Sequence, residues 1–262
     1  MTIQLVDTHA HLDAQEFDRD RDDVITRALA AGVAKIITVG TDISSSQQSV
    51  ALADKYPHIN AAVGVHPHSA DRAESSFLTR LSELTKHPKV VAIGETGLDF
   101  YRNYSSREAQ FNILHGQLEL AAELNLPIII HARQASREMV ETLSDWVKRH
   151  TDTSGRPRGV IHCFSENEQT ARKYLDMGFY ISFTGSVSYP QSSALAVAKS
   201  IPIDKMMVET DCPFQTPQKH RGKRNEPSYV VLTAETLALA LGMPLEKFAE
   251  QTTENAKRLF QL

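Results

Sequence analysis

Short apolar runs rich in valine and isoleucine recur along the chain, and longer amphipathic stretches separate them. The runs occupy residues 3–6, 35–39, 60–64, 90–94, 127–131, 159–162, 179–183 and 205–209. None shows the strict in–out alternation of a sheet with one wet face, which suits parallel strands buried on both sides. Between them, apolar positions recur at helical spacing. Residues 20–31 carry Val24, Ile25, Ala28 and Leu29, and residues 106–125 carry a stripe of Leu114, Leu118, Leu120, Ala121 and Leu124. Further helices are expected over 45–55, 74–86, 135–149, 167–177, 191–199, 228–241 and 245–260. Gly32, Gly178 and Gly242 fall just past three of these stretches, where a left-handed residue ends a helix. Strands alternating with helices predict a parallel sheet, and eight such units predict a closed (β/α)8 TIM barrel. A doubly wound sheet is the alternative, but no G-x-G-x-x-G follows the first run.

Length agrees, because 262 residues suit one barrel, so residues 1–262 are expected to form a single domain. The net charge of -4 argues against a protein that coats nucleic acid with its whole surface. It leaves room for a local basic patch beside an acidic metal site. Two distant cysteines, Cys163 and Cys212, make no disulfide framework. The start, MTIQLVDTHAHLD, lacks a basic segment and an apolar run, so no signal peptide is expected. No stretch approaches the roughly 18–20 apolar residues of a membrane span. A cytoplasmic monomer is the expectation.

Candidate chemistry changes the picture most. Polar residues rare in strands stand at the ends of the apolar runs: Asp7, His9 and His11 after the first, His66 and His68 after the third, and Glu95 with Asp99 after the fourth. His131 and Arg133 end the fifth, His162 the sixth, and Glu209 with Asp211 the eighth. In a barrel the C-terminal strand ends meet at one mouth, so six stretches deliver ligand-type side chains to one place. In extended chain, His9 and His11 face the same way and can share a cation. The expected metal ligands are His9, His11, Glu95, His131, His162 and Asp211. Glu95 has two oxygens and can bridge two ions. Imidazoles favour Zn, and the carboxylates admit Mn or Mg.

Asp211 can also orient or deprotonate water. His66 is a candidate contact for a phosphate or leaving group, while His68 reads as peripheral. Glu209 is either an acid behind the ligands or a substrate contact. Arg133 can grip an anion, and Asp99 either orients such an arginine or is a structural acid. The segment 213–227 is polar and basic. Arg221, Lys223, Arg224 and Asn225 in it either hold a nucleic-acid backbone or form a solvated charge run. The cysteines adjoin ligand positions, and alternation turns them away as core or shell residues, not nucleophiles. No nucleophile elbow or P-loop is present.

The motifs DTHAHLD, GVHPH, GETGLDF, HAR, HCFS, ETDCP and RGKRNEP, in this order, resemble those of the TatD family of metal-dependent deoxyribonucleases, a branch of the amidohydrolase-like barrels. The resemblance implies a TIM barrel and two divalent cations on His9, His11, Glu95, His131, His162 and Asp211. Glu95 would bridge them, where many amidohydrolases place a carbamylated lysine. It implies 3′→5′ exonuclease action on DNA, and on RNA in some members. Some relatives are similar to deacylases of D-aminoacyl-tRNA, which keeps hydrolysis at a tRNA 3′ end open. A non-catalytic metal-binding protein is the reading of a different class.

Overall fold

Among the described residues, eight strands form one parallel sheet in the order of the chain, β1 beside β2 through to β7 beside β8. They are β1 (Leu5–Ala10), β2 (Val33–Val39), β3 (Ile59–Val63), β4 (Val90–Asp99), β5 (Ile128–Arg133), β6 (Gly159–Ile161), β7 (Phe179–Phe183) and β8 (Met206–Val208). The coordinates are a computed structural model that describes residues 3–151 and 155–262. The expectations of a single domain over 1–262 and of no leader at the start thus include residues 1–2 and 152–154, which lie outside the described residues. The ring closes just beyond the last strand. Ala10 bridges Cys212 in parallel, the His11 N–H donates to the Cys212 carbonyl at 2.8 Å, and the Asp211 N–H donates to the His9 carbonyl at 2.8 Å. This (β/α)8 barrel has the architecture the apolar runs predict.

The helices are α1 (Arg21–Ala30), α2 (Ile43–Lys55), α3 (Phe77–Leu84), α4 (Arg107–Leu124), α5 (Ser136–Arg149), α6 (Glu168–Asp176), α7 (Ala194–Ala198), α8 (Val230–Leu241) and α9 (Leu245–Phe260). Local chemistry sets their ends. The Ser106 hydroxyl accepts from the Ala109 N–H at 3.3 Å to start α4, and Asn125 ends it with φ +52°. Asp42 and Ser45 form a reciprocal capping box at α2. Among the described residues no single helix is long and apolar enough to cross a membrane.

Apolar side chains collect in two places. The larger core lies between strands and helices. A smaller one fills the barrel with Val6, Ile37, Val39, Ala62, Ala92, Ile129, Val160 and Met207, and Ala256, Leu259 and Phe260 of α9 pack onto it. Thr253 and Asn255 of α9 bond backbone carbonyls of Gln4 and Met206, at the strand N-termini. The C-terminal helix therefore seals the end opposite the catalytic-type residues.

β4 runs five residues beyond its apolar run. The extension contains Gly97, and both it (φ +151°) and Gly94 (φ +138°) hold backbone conformations that side chains resist. A Cβ at Gly97 would strike the His131 carbonyl. Glycine here lets two strands close tightly beneath the mouth instead of ending one of them.

Candidate metal centre

β1 carries His9 next to its last residue and His11 just beyond it, and both turn Nε2 to one point at the barrel mouth. The two nitrogens lie 3.3 Å apart. Glu95 Oε2 is 3.3 Å from His9 Nε2 and 3.7 Å from His11 Nε2. Asp211 Oδ1 stands 3.4 Å from His11 Nε2 and 3.8 Å from His9 Nε2. The other oxygen of Glu95 faces a different set. Its Oε1 is 2.7 Å from His162 Nε2 and 2.9 Å from His131 Nδ1, and those two nitrogens are 3.2 Å apart.

The far side of each ring decides what the near nitrogen can do. His11 Nδ1 lies 2.9 Å from the Val39 carbonyl, which can only accept, so the proton sits there and Nε2 offers a lone pair. His131 Nε2 lies 3.2 Å from Asp99 Oδ2, which leaves Nδ1 as the inward lone pair. His162 Nδ1 lies 3.3 Å from Glu209 Oε1, within ion-pair reach but without hydrogen-bond geometry, and its Nε2 faces Glu95. Such outer partners are the usual means of fixing a ligating imidazole. Among the described residues, His9 Nδ1 is buried with no hydrogen-bond partner.

His66 behaves differently. Its Nδ1 accepts the His68 backbone N–H at 3.0 Å, so in the neutral ring the proton is on Nε2, 3.4 Å from Glu95 Oε1. Burial, against the pull of Glu95, drops its pKa to about 4 and keeps it neutral. His66 therefore presents a donor to the centre, not a lone pair.

Lone pairs and carboxylate oxygens packed this closely call for positive charge. Burial disfavours charge on His11, yet Asp211 and Glu95 outweigh that and raise its pKa to about 9. His162 rises well above its ordinary value against the same burial penalty, drawn by Glu95 and Glu209. Glu95 falls well below its own despite burial, held by His162, His66 and His9. A cation about 2.1 Å from each ligand sets neighbouring ligand atoms roughly 3–3.5 Å apart, and the edges of the two donor sets, 3.3–3.8 Å and 2.7–3.2 Å, bracket that size. The residues present fit divalent cations.

Other expected residues are placed as follows. Glu209 is fully buried and its Oε1 accepts the Cys163 N–H at 2.6 Å, so it stands behind His162 and not in the mouth. Asp7 accepts from the Thr210 N–H at 2.9 Å and hydroxyl at 2.6 Å, which fixes the chain beside Asp211; burial raises its pKa to about 8. Arg133 is exposed at the rim, its guanidinium 4.1 Å from the Tyr101 ring. Asp99 does not orient an arginine side chain: Oδ2 is 2.8 Å from His68 Nε2 and 3.2 Å from His131 Nε2, and Oδ1 accepts the Tyr101 and Arg102 backbone N–H groups. His68 is thus joined to the centre through Asp99 and is not peripheral.

The basic segment divides in two. Arg221 and Lys223 are exposed, and Lys223 lines an open cavity of about 710 Å³ with Ser186, Tyr189 and Gln215. Arg224, expected on substrate, is committed to Asp20 at 2.7 and 2.8 Å, against the ring of Phe17. Asn225, expected on substrate too, is fully buried. Its Nδ2 donates to the Thr210 and Phe214 carbonyls at 2.9 and 2.6 Å, and its Oδ1 accepts the Glu226 N–H at 3.0 Å. Both hold the shape of the segment that carries Asp211.

The sequence reading missed Asp99 as the partner of His131. Period two from Glu95 would have put residues 95, 97 and 99 on one face, had the strand been continued through Gly97. Cys212 is buried and Cys163 partly exposed, as residues of the core and of the shell behind the ligands.

Buried His, Glu and Asp clusters that could hold metal ions, at a barrel mouth, suit a metal-dependent hydrolase. Known proteins agree. Residues 6–261 match the family described as TatD related DNase. The metal-dependent hydrolase YabD of Bacillus subtilis is 42% identical over 98% of this chain and 99% of its own. The 3′-5′ ssDNA/RNA exonuclease TatD of Salmonella typhimurium is 36% identical over 98% and 99%. The crystal structure of YJJV, a TatD homolog from Escherichia coli, superposes with a TM-score of 0.92 at 30% identity and covers all of both chains. The chain belongs to the TatD family.

Proposed function

We propose that this chain is a phosphodiesterase that removes nucleotides from the 3′ end of single-stranded DNA, and of RNA, with two divalent cations. His9, His11, Asp211 and Oε2 of Glu95 would hold one; His131, His162 and Oε1 of Glu95 would hold the other. Mg, Mn and Zn all suit this mixture of imidazole and carboxylate. The observation that carries the reading is the division of Glu95, with one oxygen facing each histidine pair.

Bound cations would polarise a phosphate oxygen and lower the pKa of water. Asp211, at the edge of the centre, accepts the proton of the attacking water. His66 donates its Nε2–H to a phosphoryl or leaving oxygen, where charge develops. Arg133, Arg221 and Lys223 attract phosphates at the rim. Glu209 holds His162 in place, and Arg224 and Asn225 brace the segment that bears Asp211. The substrate class is supported by the 36% identical Salmonella exonuclease and by the cationic side chains at the mouth.

The test is digestion of a 5′-labelled single strand with Mg, Mn and Zn in turn. Wild type should give a ladder that shortens from the 3′ end, and Asp211→Asn should lose about a thousandfold in rate, as for other groups acting on the transition state. Equal rates for the two proteins, or hydrolysis of D-aminoacyl-tRNA with no cleavage of DNA, would overturn the reading.

A further inference from the structure

Six large hydrophobic side chains are exposed among the described residues, and they divide sharply by type and place. Leu29, Leu124 and Leu239 lie scattered on α1, α4 and α8. The three aromatic ones are all at the barrel mouth. Tyr101 (50% exposed) and Tyr104 (64%) follow β4, and Phe214 (56%) follows Asp211 by three residues. Scattered exposed leucines need no explanation. Three solvated aromatic rings on the loops of one barrel mouth do.

Each ring is tied to one side of the metal centre. Phe214 meets His11 edge-on, with centroids 6.2 Å apart. Tyr104 meets His68 edge-on at 4.8 Å, and His68 reaches His131 through Asp99. Tyr101 carries the guanidinium of Arg133 at 4.1 Å and that of Arg102 at 5.5 Å. The loops after β4 and β8 are four strands apart in a ring of eight, so Glu95 and its histidines lie between them. Whatever covers these rings must also lie across the centre, which favours a substrate over a docking protein.

Aromatic faces beside guanidinium groups are the combination that holds unpaired bases and the phosphates between them. Every base has a π-face, so such contacts tolerate any sequence. A paired and stacked duplex has no free faces to offer. Resting on the phosphodiesterase reading above, we infer that Tyr104 and Tyr101 on one side and Phe214 on the other stack the two bases that flank the scissile phosphate. The mouth then selects single strands by requiring its bases to splay apart, one to each side of the centre.

The test uses a six-nucleotide DNA strand with 2-aminopurine at the terminal or the penultimate 3′ position. A phosphorothioate at the last linkage slows cleavage. Wild type with Mn should change the emission at both positions. Tyr104→Ala should remove the change at one position and Phe214→Ala at the other, each weakening binding roughly five- to a hundredfold. Tyr104→Phe, which keeps the ring, should behave as wild type. On cleavable DNA the alanine variants should raise KM more than they lower kcat. Binding with the same emission and affinity in both alanine variants would overturn this inference alone. Failure of wild type to bind the strand would overturn the phosphodiesterase reading and this inference with it.

Discussion

Oε1 of Glu209 lies 3.3 Å from Nδ1 of His162, and the same oxygen accepts the Cys163 backbone N–H. One carboxylate oxygen thus holds the turn after His162 and faces the ring that points at Glu95. Neutralising it should loosen the second cation and spare the first. Glu209→Gln should weaken binding of one of two cations by about 10- to 100-fold, with activity recovered at high metal concentration. A metal titration followed by calorimetry checks this. Unchanged affinity at both sites would remove Glu209 from the account.

His66 tests the tautomer argument. Its Nδ1 is occupied by the His68 N–H, so its Nε2 carries a proton and cannot ligate. His66→Ala should lower kcat by about 10²–10³, as loss of a transition-state donor does, and leave metal content unchanged. Loss of a cation in the variant would show that His66 is a ligand after all.

The site was legible where chemistry and strand ends coincide. His9, His11, Glu95, His131, His162 and Asp211 each follow an apolar run, and a barrel gathers run ends at one mouth. What stayed hidden depends on partners distant in sequence. Arg224 sits in a basic run that reads like a phosphate contact, but its carboxylate partner, Asp20, is 204 positions away. Asn225 is indistinguishable from a surface residue until the Thr210 and Phe214 carbonyls are placed over it. Asp99 was separated from His131 by the apparent end of β4 at Gly94, because glycine usually marks a stop. Here tight strand packing required it. The fold itself was more legible, since eight apolar runs and the helical stripes needed only local periodicity.

The brace behind the basic segment predicts an acid-sensitive contribution to stability. Glu226 accepts three contacts from Arg27, at 2.7, 3.0 and 3.1 Å. Against the penalty of burial, Arg27 and Ser228 hold the Glu226 carboxyl below its ordinary value of 4.5. A carboxyl depressed in the folded state stabilises it fully above its unfolded pKa and ceases to as pH falls through the folded one. Glu226→Gln should therefore lower Tm at pH 7, and the gap from wild type should begin to narrow as pH falls below about 4.5. A gap that stays constant as pH falls through the acid range would assign the effect to packing.

Phe260 of α9 is 2% exposed and packs against the barrel interior at the end away from the centre. Phe260→Ala should cost about 3–5 kcal/mol of stability, as for other buried aromatic truncations. Chemical denaturation measures this. Below the new Tm, the folded variant should keep its kcat. A loss of kcat without loss of stability would mean that the seal and the mouth are coupled.

Glu95, with one oxygen toward each histidine pair, is the proposed bridge between two cations. Metal content per chain, measured on wild type and Glu95→Ala after equilibration with Mn, tests it most directly. Two ions per chain in wild type, with both affinities weakened by the single substitution, is the expected result. One ion in wild type, or a variant that loses one site and keeps the other intact, would contradict it.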